Sequence, residues 1–143
     1  MKRLIPITLV FILIVASCTS NKNIGLDTKP LLIIENPYWQ KIFPGQEDGD
    51  KQMVLILPYD MALENYKVDS VYFKGYHERL KESTMSGKTV YRARITLQDN
   101  LNLITPPYTI EENEALVSYE DKNGTKRHFR VKNILRKEPI YMP

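Results

Sequence analysis

The stretch ALVSYEDKNGTKRHFRVKNIL, residues 115–135, predicts the local structure that decides the fold. Two segments rich in β-formers, Ala115–Tyr119 and Arg127–Leu135, flank a turn at 121–124. Its Asn-Gly pair adopts positive φ at low cost, so a β-hairpin is expected. On the return strand Phe129 and Val131 share one face, and the other face takes the polar side chains His128, Arg130 and Lys132. This alternation indicates a strand with one buried and one solvent-facing side.

Other segments have strand character as well. Residues 89–97 (TVYRARITL) alternate, with Ala93 and Ile95 on one side and Arg92 and Arg94 on the other. The short apolar run Leu31–Ile34, bounded by Pro30 and Pro37, predicts a buried strand because it is too short for a helix, and Met53–Leu57, ended by Pro58, predicts a second one. A further strand is expected over Val68–Tyr76, with Gly75 marking a bulge.

The remaining segments read as turns, a connection and a tail. One or two helical turns are expected over Tyr59–Tyr66 with Asp60 as N-cap, a turn over Thr84–Gly87, and a long connection over Asp99–Asn113. The tail Pro139–Pro143 is expected to add an edge segment. Six or seven strands with many turn signals predict an all-β fold, best described as an antiparallel two-sheet sandwich of immunoglobulin-like type. A small closed β-barrel is the alternative.

The amino terminus carries a different signal. Lys2 and Arg3 precede an apolar run of about a dozen residues, which is too short to span a bilayer core. Small residues then lead into the single cysteine, in the order Val15-Ala16-Ser17-Cys18. Positive, apolar and small-residue regions in this order are typical of a cleaved signal peptide.

Residues 1–18 resemble the precursors of bacterial lipoproteins. The resemblance implies that signal peptidase cleaves before Cys18 and that this cysteine carries a diacylglyceryl thioether and usually an N-acyl chain. The predicted division is a signal peptide at 1–17, a lipidated cysteine with a flexible tether at 18–30, and a single β domain at 31–143. Thr19 and Ser20 follow the cysteine without an acidic run, which favours the outer membrane of the cell envelope, facing the periplasm.

The composition of the chain after Cys18 narrows the range of partners and cofactors to be considered. Removing the 17 residues before Cys18 leaves 126 of the 143 and discards Lys2 and Arg3, so 18 basic side chains face 17 acidic ones. This near-neutral balance gives no argument for a nucleic-acid partner. A lipidated Cys18 also leaves no thiol for a disulfide, a thiolate metal site or a nucleophile. We therefore predict no cofactor and no metal site.

Catalytic patterns are weak. His77 and His128 each stand alone without a second His or Cys at ligand spacing, so exposed positions on a sheet are expected. The acidic run Glu47–Asp50 is interpreted as a solvated turn, and Glu111–Glu114 as the polar segment that precedes a strand. A basic stripe would form if Arg92 and Arg94 neighboured the hairpin cations Lys126, Arg127, Arg130 and Lys132. Such a stripe could meet anionic lipid or glycan.

The aromatic residues of one segment are the candidate ligand-binding side chains. Tyr38, Trp39 and Phe43 lie between prolines on what reads as irregular backbone, and Tyr59 follows Pro58. Aromatic rings in such a place can stack on a sugar or anchor a protein. The alternative is structural, because a single Trp in a small sandwich often fills the core.

Three functions follow from these patterns. The first is a non-enzymatic, membrane-anchored module that binds an envelope protein or a glycan. The second is an envelope hydrolase or glycan-modifying enzyme that uses carboxylates such as Asp60, Glu64 or Glu112 in an aromatic groove. The third is a structural assembly subunit. We adopt the first, because the sequence contains an anchor and a β domain but no recognisable catalytic motif.

Overall fold

The computed structural model describes residues 25–60, 65–97 and 103–143, and all of the regular structure in these ranges is β-strand. Strand formation follows the β-branched and aromatic content of these segments. The ten strands are β1 Tyr38–Phe43, β2 Gln52–Pro58, β3 Lys67–Phe73, β4 Tyr76–Arg79, β5 Lys81–Met85, β6 Lys88–Thr96, β7 Ala115–Glu120, β8 Lys126–Val131, β9 Leu135–Arg136 and β10 Ile140–Tyr141.

The strands form two sheets. The larger sheet has the order β10-β1-β2-β6-β5, with β9 also beside β1, and the smaller has the order β4-β3-β7-β8. Neighbours are antiparallel except β9 and β10, which run parallel to β1. The predicted all-β sandwich is confirmed, and the described strands do not close into the small barrel that was the alternative. The strand count was underestimated, because very short segments carry little sequence signal.

The main core lies between the sheets and contains side chains from both. Leu55 and Phe73 are 0% exposed and Phe129 is 1% exposed. The ring of Trp39 in the larger sheet meets that of Phe73 in the smaller sheet edge-on, with centroids 6.1 Å apart. The sheets are therefore joined by interdigitating aromatic and aliphatic side chains, as in β-sandwiches generally.

The predicted hairpin is confirmed as β7 and β8. Asp121 organises its turn, because Oδ1 of this residue accepts hydrogen bonds from the backbone N–H groups of Asn123 at 2.9 Å and Thr125 at 3.0 Å. Gly124 has φ 77°, the left-handed value that glycine adopts without strain. Phe129 is buried on the inner side as expected.

Two turns differ from their prediction. Gly75 is not a bulge: Lys74 and Gly75, with φ 49° and 82°, form the two-residue turn of a hairpin between β3 and β4. Ser86 and Gly87 form an equivalent turn with φ 50° and 77°, so the predicted turn at 84–87 is shorter than expected. Positive φ at both central positions matches the right-handed twist of the flanking strands.

The run Leu31–Ile34 was predicted to be a strand, and this is wrong. Only Ile34 forms a single bridge, to Tyr59, while Leu32 is 4% exposed and Ile33 is 68% exposed. Asn36 takes positive φ (49°) immediately before Pro37, so the backbone cannot continue as a ladder into β1. The segment instead inserts Leu32 into the main core.

Residues assigned to the tether also contact the domain. Leu26 pairs with His128 of β8, and the N–H of Asp27 donates to the carbonyl of His128 at 2.8 Å. Residues 25–30, which the sequence assigned to the tether, therefore belong to the folded domain. The expected helical turns over Tyr59–Tyr66 and the start of the connection at Asp99 fall partly on residues 61–64 and 98–102, outside the described ranges.

The carboxyl-terminal tail adds an edge segment, as predicted. Arg136 lies opposite Trp39, and Ile140 lies opposite Ile42. Three residues, 137–139, therefore span the same length of edge as two residues of β1, 40–41, which makes a bulge. Pro139 occupies this bulge. A proline and a bulge on an edge discourage pairing with a foreign strand.

Candidate functional site

Trp39 is a core residue. It lies on β1, which is regular strand rather than the irregular backbone expected, and its side chain is 7% exposed. Two cations cover the rest of its ring: Lys74 Nζ is 4.8 Å and Arg136 Cζ is 5.3 Å from the ring centroid. The indole is therefore occupied on its outer side and offers no open platform for a sugar.

Tyr38 and Phe43 lie apart from Trp39 and from each other. Tyr38 points to the opposite side of β1, where Lys137 Nζ lies 3.6 Å from its ring centroid. Phe43 ends the strand and stacks on Tyr141 with centroids 5.1 Å apart. Strand alternation and length thus separate the three aromatic side chains of this segment.

Tyr59 is buried at the end of β2. Its ring stacks on that of Tyr91 at 4.6 Å, and its hydroxyl donates to Oε2 of Glu82 at 2.7 Å. Burial, together with this bond to Glu82, raises the pKa of Tyr59, so the phenol keeps its proton at neutral pH. The four candidate aromatic residues therefore occupy separate environments and do not converge on one site.

The carboxylates of the enzyme hypothesis are not brought together either. Asp60 is exposed after β2, and Glu64 lies outside the described residues. Glu112 is 93% exposed and lies 3.6 Å from Lys74 Nζ. A cavity of about 410 Å³ does place Glu111 and Glu112 near Trp39. Asp60 and Glu112 are thus solvent-exposed and lie on separate segments of the chain.

The two histidines, predicted to be isolated, share the outer side of the smaller sheet with Tyr72. The rings of His77 and Tyr72 stack at 4.0 Å, and Tyr72 and His128 are 6.4 Å apart. Nε2 of His77 lies 2.9 Å from Oγ of Ser70, which is a serine–histidine contact. Ser70 is only 5% exposed, so little of this residue is open to solvent. Only the strand register could reveal this cluster, because its members are up to 58 residues apart in sequence.

Acidification is expected to destabilise the fold through His77 and His128. Burial, and then the nearby Lys126 cation, lowers both pKa values below the ordinary value of about 6.5. The unfolded chain therefore binds protons first, so this stability is complete above about pH 6.5 and is lost as the pH falls below it. Urea unfolding at about pH 8 and about pH 5 measures the loss. Replacing both histidines by Gln should reduce this loss of stability at low pH. An equal loss in the double variant would show that carboxylates, and not the histidines, cause it.

Asp27 fixes the amino-terminal segment to the domain. Its carboxylate accepts hydrogen bonds from Arg127 and from the hydroxyl of Tyr119. Burial and the bond to Asp27 raise the pKa of Tyr119 to about 12. A cavity of about 490 Å³ lies beside this contact, between Leu26 and Arg130. Its cations are engaged, because Arg130 donates to the carbonyl of Thr109 and Lys132 lies 3.9 Å from Glu114.

The predicted basic stripe does not form, because its members lie in different sheets. Arg92 and Arg94 are on β6 of the larger sheet, while the hairpin cations are on or beside β8 of the smaller sheet. The hairpin cations are also largely neutralised, since Lys126 lies 3.7 Å from Asp69 and Arg127 contacts Asp27.

A different basic surface forms on the outer side of the larger sheet. Arg92 lies directly opposite Lys81 of β5, and Arg94 is two residues further along β6. Lys88 is at the start of the same strand and contacts Glu35 only at 3.8 Å through solvent-exposed side chains. Within the described ranges, no carboxylate pairs with Lys81, Arg92 or Arg94. We call Lys81, Lys88, Arg92 and Arg94 the basic face.

The neighbours of the basic face are apolar or uncharged. The positions of β1, β2, β5 and β6 that share this side contain no Asp or Glu, as their register shows. Beneath the cations Val54, Ile56 and Val90 form a second buried cluster, between 2% and 8% exposed. Long basic side chains can cover such apolar surface while their charges stay in water.

Lys81 and Arg92 face each other with like charge, which is unfavourable for folding. Changing Lys81 to Glu creates an opposite-charge pair, so Lys81→Glu is expected to raise the free energy of unfolding by about 0.2–1 kcal/mol. Urea unfolding measures the change, and Lys122→Glu in the β7–β8 turn is the matched control. A loss of stability in Lys81→Glu would mean that the cation has a favourable partner. A gain would show that the sequence keeps a charge that folding does not need.

Comparisons with protein-family models, with curated proteins and with solved structures give no match. Among the described residues there is no helix of the length and apolarity that a membrane span requires. The same residues contain no group of three or more His, Asp or Glu side chains placed to hold a metal ion. The basic face is thus the candidate functional site, on the strength of its geometry and charge alone.

Proposed function

We propose that this chain is a cell-envelope lipoprotein whose sandwich is a non-enzymatic interaction module for a protein or glycan partner. The anchor is supported by the order of charged, apolar and small residues before Cys18. Two or more acyl chains on that sulfur hold a protein stably at a membrane, whereas one alone gives marginal attachment. The absence of an acidic run after Cys18 supports a location at the outer membrane, facing the periplasm.

The observation that carries the interaction module is the basic face. Three of its four cations, Lys81, Arg92 and Arg94, have no acidic partner among the described residues, so the face has a positive potential that attracts anions. The partner of such a surface is acidic, either a protein with a negative patch or an anionic glycan. The unfavourable pairing of Lys81 with Arg92 is explained if both cations bind an external anion.

Cys18→Ala is expected to abolish acylation of the chain, because the proposed thioether forms on this sulfur alone. The wild-type chain should sediment with membranes and show the mass of an acylated cysteine, while the variant keeps its leader and carries no lipid. Fractionation with mass spectrometry checks both properties. A wild-type chain with an unmodified thiol would refute the anchor.

The module is tested by charge reversal on its surface. The double variant Arg92→Glu/Arg94→Glu should no longer capture a defined envelope component that the wild-type protein binds. Arg79→Glu with Lys122→Glu makes the same change in net charge at exposed positions of the smaller sheet and should keep it. Equal capture by both double variants would exclude the basic face as the contact.

A further inference from the structure

We propose that the basic face binds the anionic phospholipid surface of the membrane that carries the anchor, so that the sandwich docks on the bilayer through its larger sheet. The inference rests on the proposed anchor at Cys18 and adds a second membrane contact to it. A protein or glycan partner of the same face then competes with the bilayer.

Charge complementarity is the first argument. Lys81, Arg92 and Arg94 have no carboxylate partner among the described residues, so nothing in the described part of the domain neutralises their positive charge. An acidic group lies at the border of the face, where Glu35 is 3.8 Å from Lys88. Each Lys or Arg near an anionic membrane surface strengthens binding about fivefold.

The distribution of apolar side chains is the second argument. Leu135 and Ile140 at one edge of the larger sheet are 60% and 42% exposed, and Met85 at the other edge is 38% exposed. A protein interface has an apolar centre and a polar rim. This surface lacks that order, because its cations lie on β5 and β6 and exposed apolar side chains lie at both of its edges. Cations at phosphate level with apolar side chains entering the headgroup region are typical of surface-bound proteins.

Chain length permits the contact. Six residues, 19–24, separate Cys18 from the first described residue, and six residues reach at most about 20 Å. Leu26 lies at the β8 edge of the smaller sheet, and packed sheets are about 10 Å apart. The anchor can therefore stay in the bilayer while the larger sheet lies on it. Because linked sites bind with high effective concentration, even a weak basic face is occupied.

The test uses the lipidated protein on vesicles. Cys18 is the only cysteine and is acylated in the proposal, so one introduced cysteine accepts a fluorescent label selectively. Ser83→Cys places the label on β5 between basic residues, and Glu120→Cys places it on β7 of the smaller sheet. Energy transfer to a headgroup acceptor reports which side is near the lipid, in vesicles of phosphatidylcholine alone or with about 30% phosphatidylglycerol.

On anionic vesicles the Ser83 label should transfer strongly and the Glu120 label weakly, whereas on neutral vesicles the two should be alike. Arg92→Glu with Arg94→Glu should lower the docked-to-undocked ratio at least about 25-fold. The control pair Arg79→Glu and Lys122→Glu should leave it unchanged. Raising the salt to about 1 M shortens the screening length to about 3 Å and should undock the wild-type sheet.

Each contrary result has a distinct meaning. Attached protein with equal transfer from both labels on anionic vesicles overturns the docking and leaves the anchor intact. Protein that stays in solution with both kinds of vesicle overturns the anchor and the docking together. Binding of a soluble anionic polysaccharide that the double variant Arg92→Glu/Arg94→Glu loses, without a Ser83 signal on vesicles, overturns the membrane as occupant in favour of a glycan.

Discussion

Phe73→Ala is expected to lower the free energy of unfolding by about 3–5 kcal/mol, which is a large part of the stability of a small domain. Phe73 is 0% exposed and comes directly before the Lys74-Gly75 turn, so the backbone there cannot collapse into the space that the ring leaves. The ring also contacts Trp39 across the two sheets. Its loss therefore removes packing within the smaller sheet and between the sheets at once.

Trp39 provides a local reporter for this variant. It is the single tryptophan of the chain, and its ring centroid is 6.1 Å from that of Phe73. Urea unfolding followed by Trp39 fluorescence and by circular dichroism should give one shifted midpoint with an unchanged slope. Phe43→Ala is the matched control, since Phe43 is half-buried and stacks on the exposed Tyr141. Equal losses from Phe43 and Phe73 would show that the core is not where the structure places it.

Alternating polarity predicted the strands that have one buried side. In β6, Ala93 and Ile95 are buried and Arg94 is exposed, as the residue pattern requires. The β7–β8 hairpin was equally predictable, because Asn-Gly is a local signal that needs no knowledge of the rest of the chain. Both successes depend on information that is contained within about ten consecutive residues.

Long-range contacts were less predictable. The aromatic content of Tyr38–Phe43 suggested a loop between prolines, but pairing with β2 on one side and β9 and β10 on the other makes it a strand within the sheet. The strand β5, with sequence KESTM, has no apolar alternation and was not anticipated. It forms because β6 supplies a complete edge to pair with.

The candidate site was half predictable for the same reason. That Arg92 and Arg94 point outward follows from alternation, but which cations join them depends on strand order. The sequence suggested the hairpin strand β8, whereas the register brings Lys81 of β5 opposite Arg92. The histidine cluster likewise exists only because β3, β4 and β8 meet in one sheet.

Leu32→Ala is expected to cost about 2–5 kcal/mol, although Leu32 belongs to no strand. Its side chain is 4% exposed and belongs to the main core, which the amino-terminal segment covers on its way from β8 to β1. Asp27 holds one side of this segment through Arg127 and Tyr119, and the bridge from Ile34 to Tyr59 holds the other. With both sides fixed, the segment cannot relax to fill the cavity.

Ile33 gives the matched control, because it is the adjacent aliphatic residue and is 68% exposed. Ile33→Ala should change the free energy of unfolding by no more than about 0.5 kcal/mol. A buried strand in which both faces are covered would make the two substitutions similarly costly, so urea unfolding of the pair distinguishes a strand from a single inserted side chain.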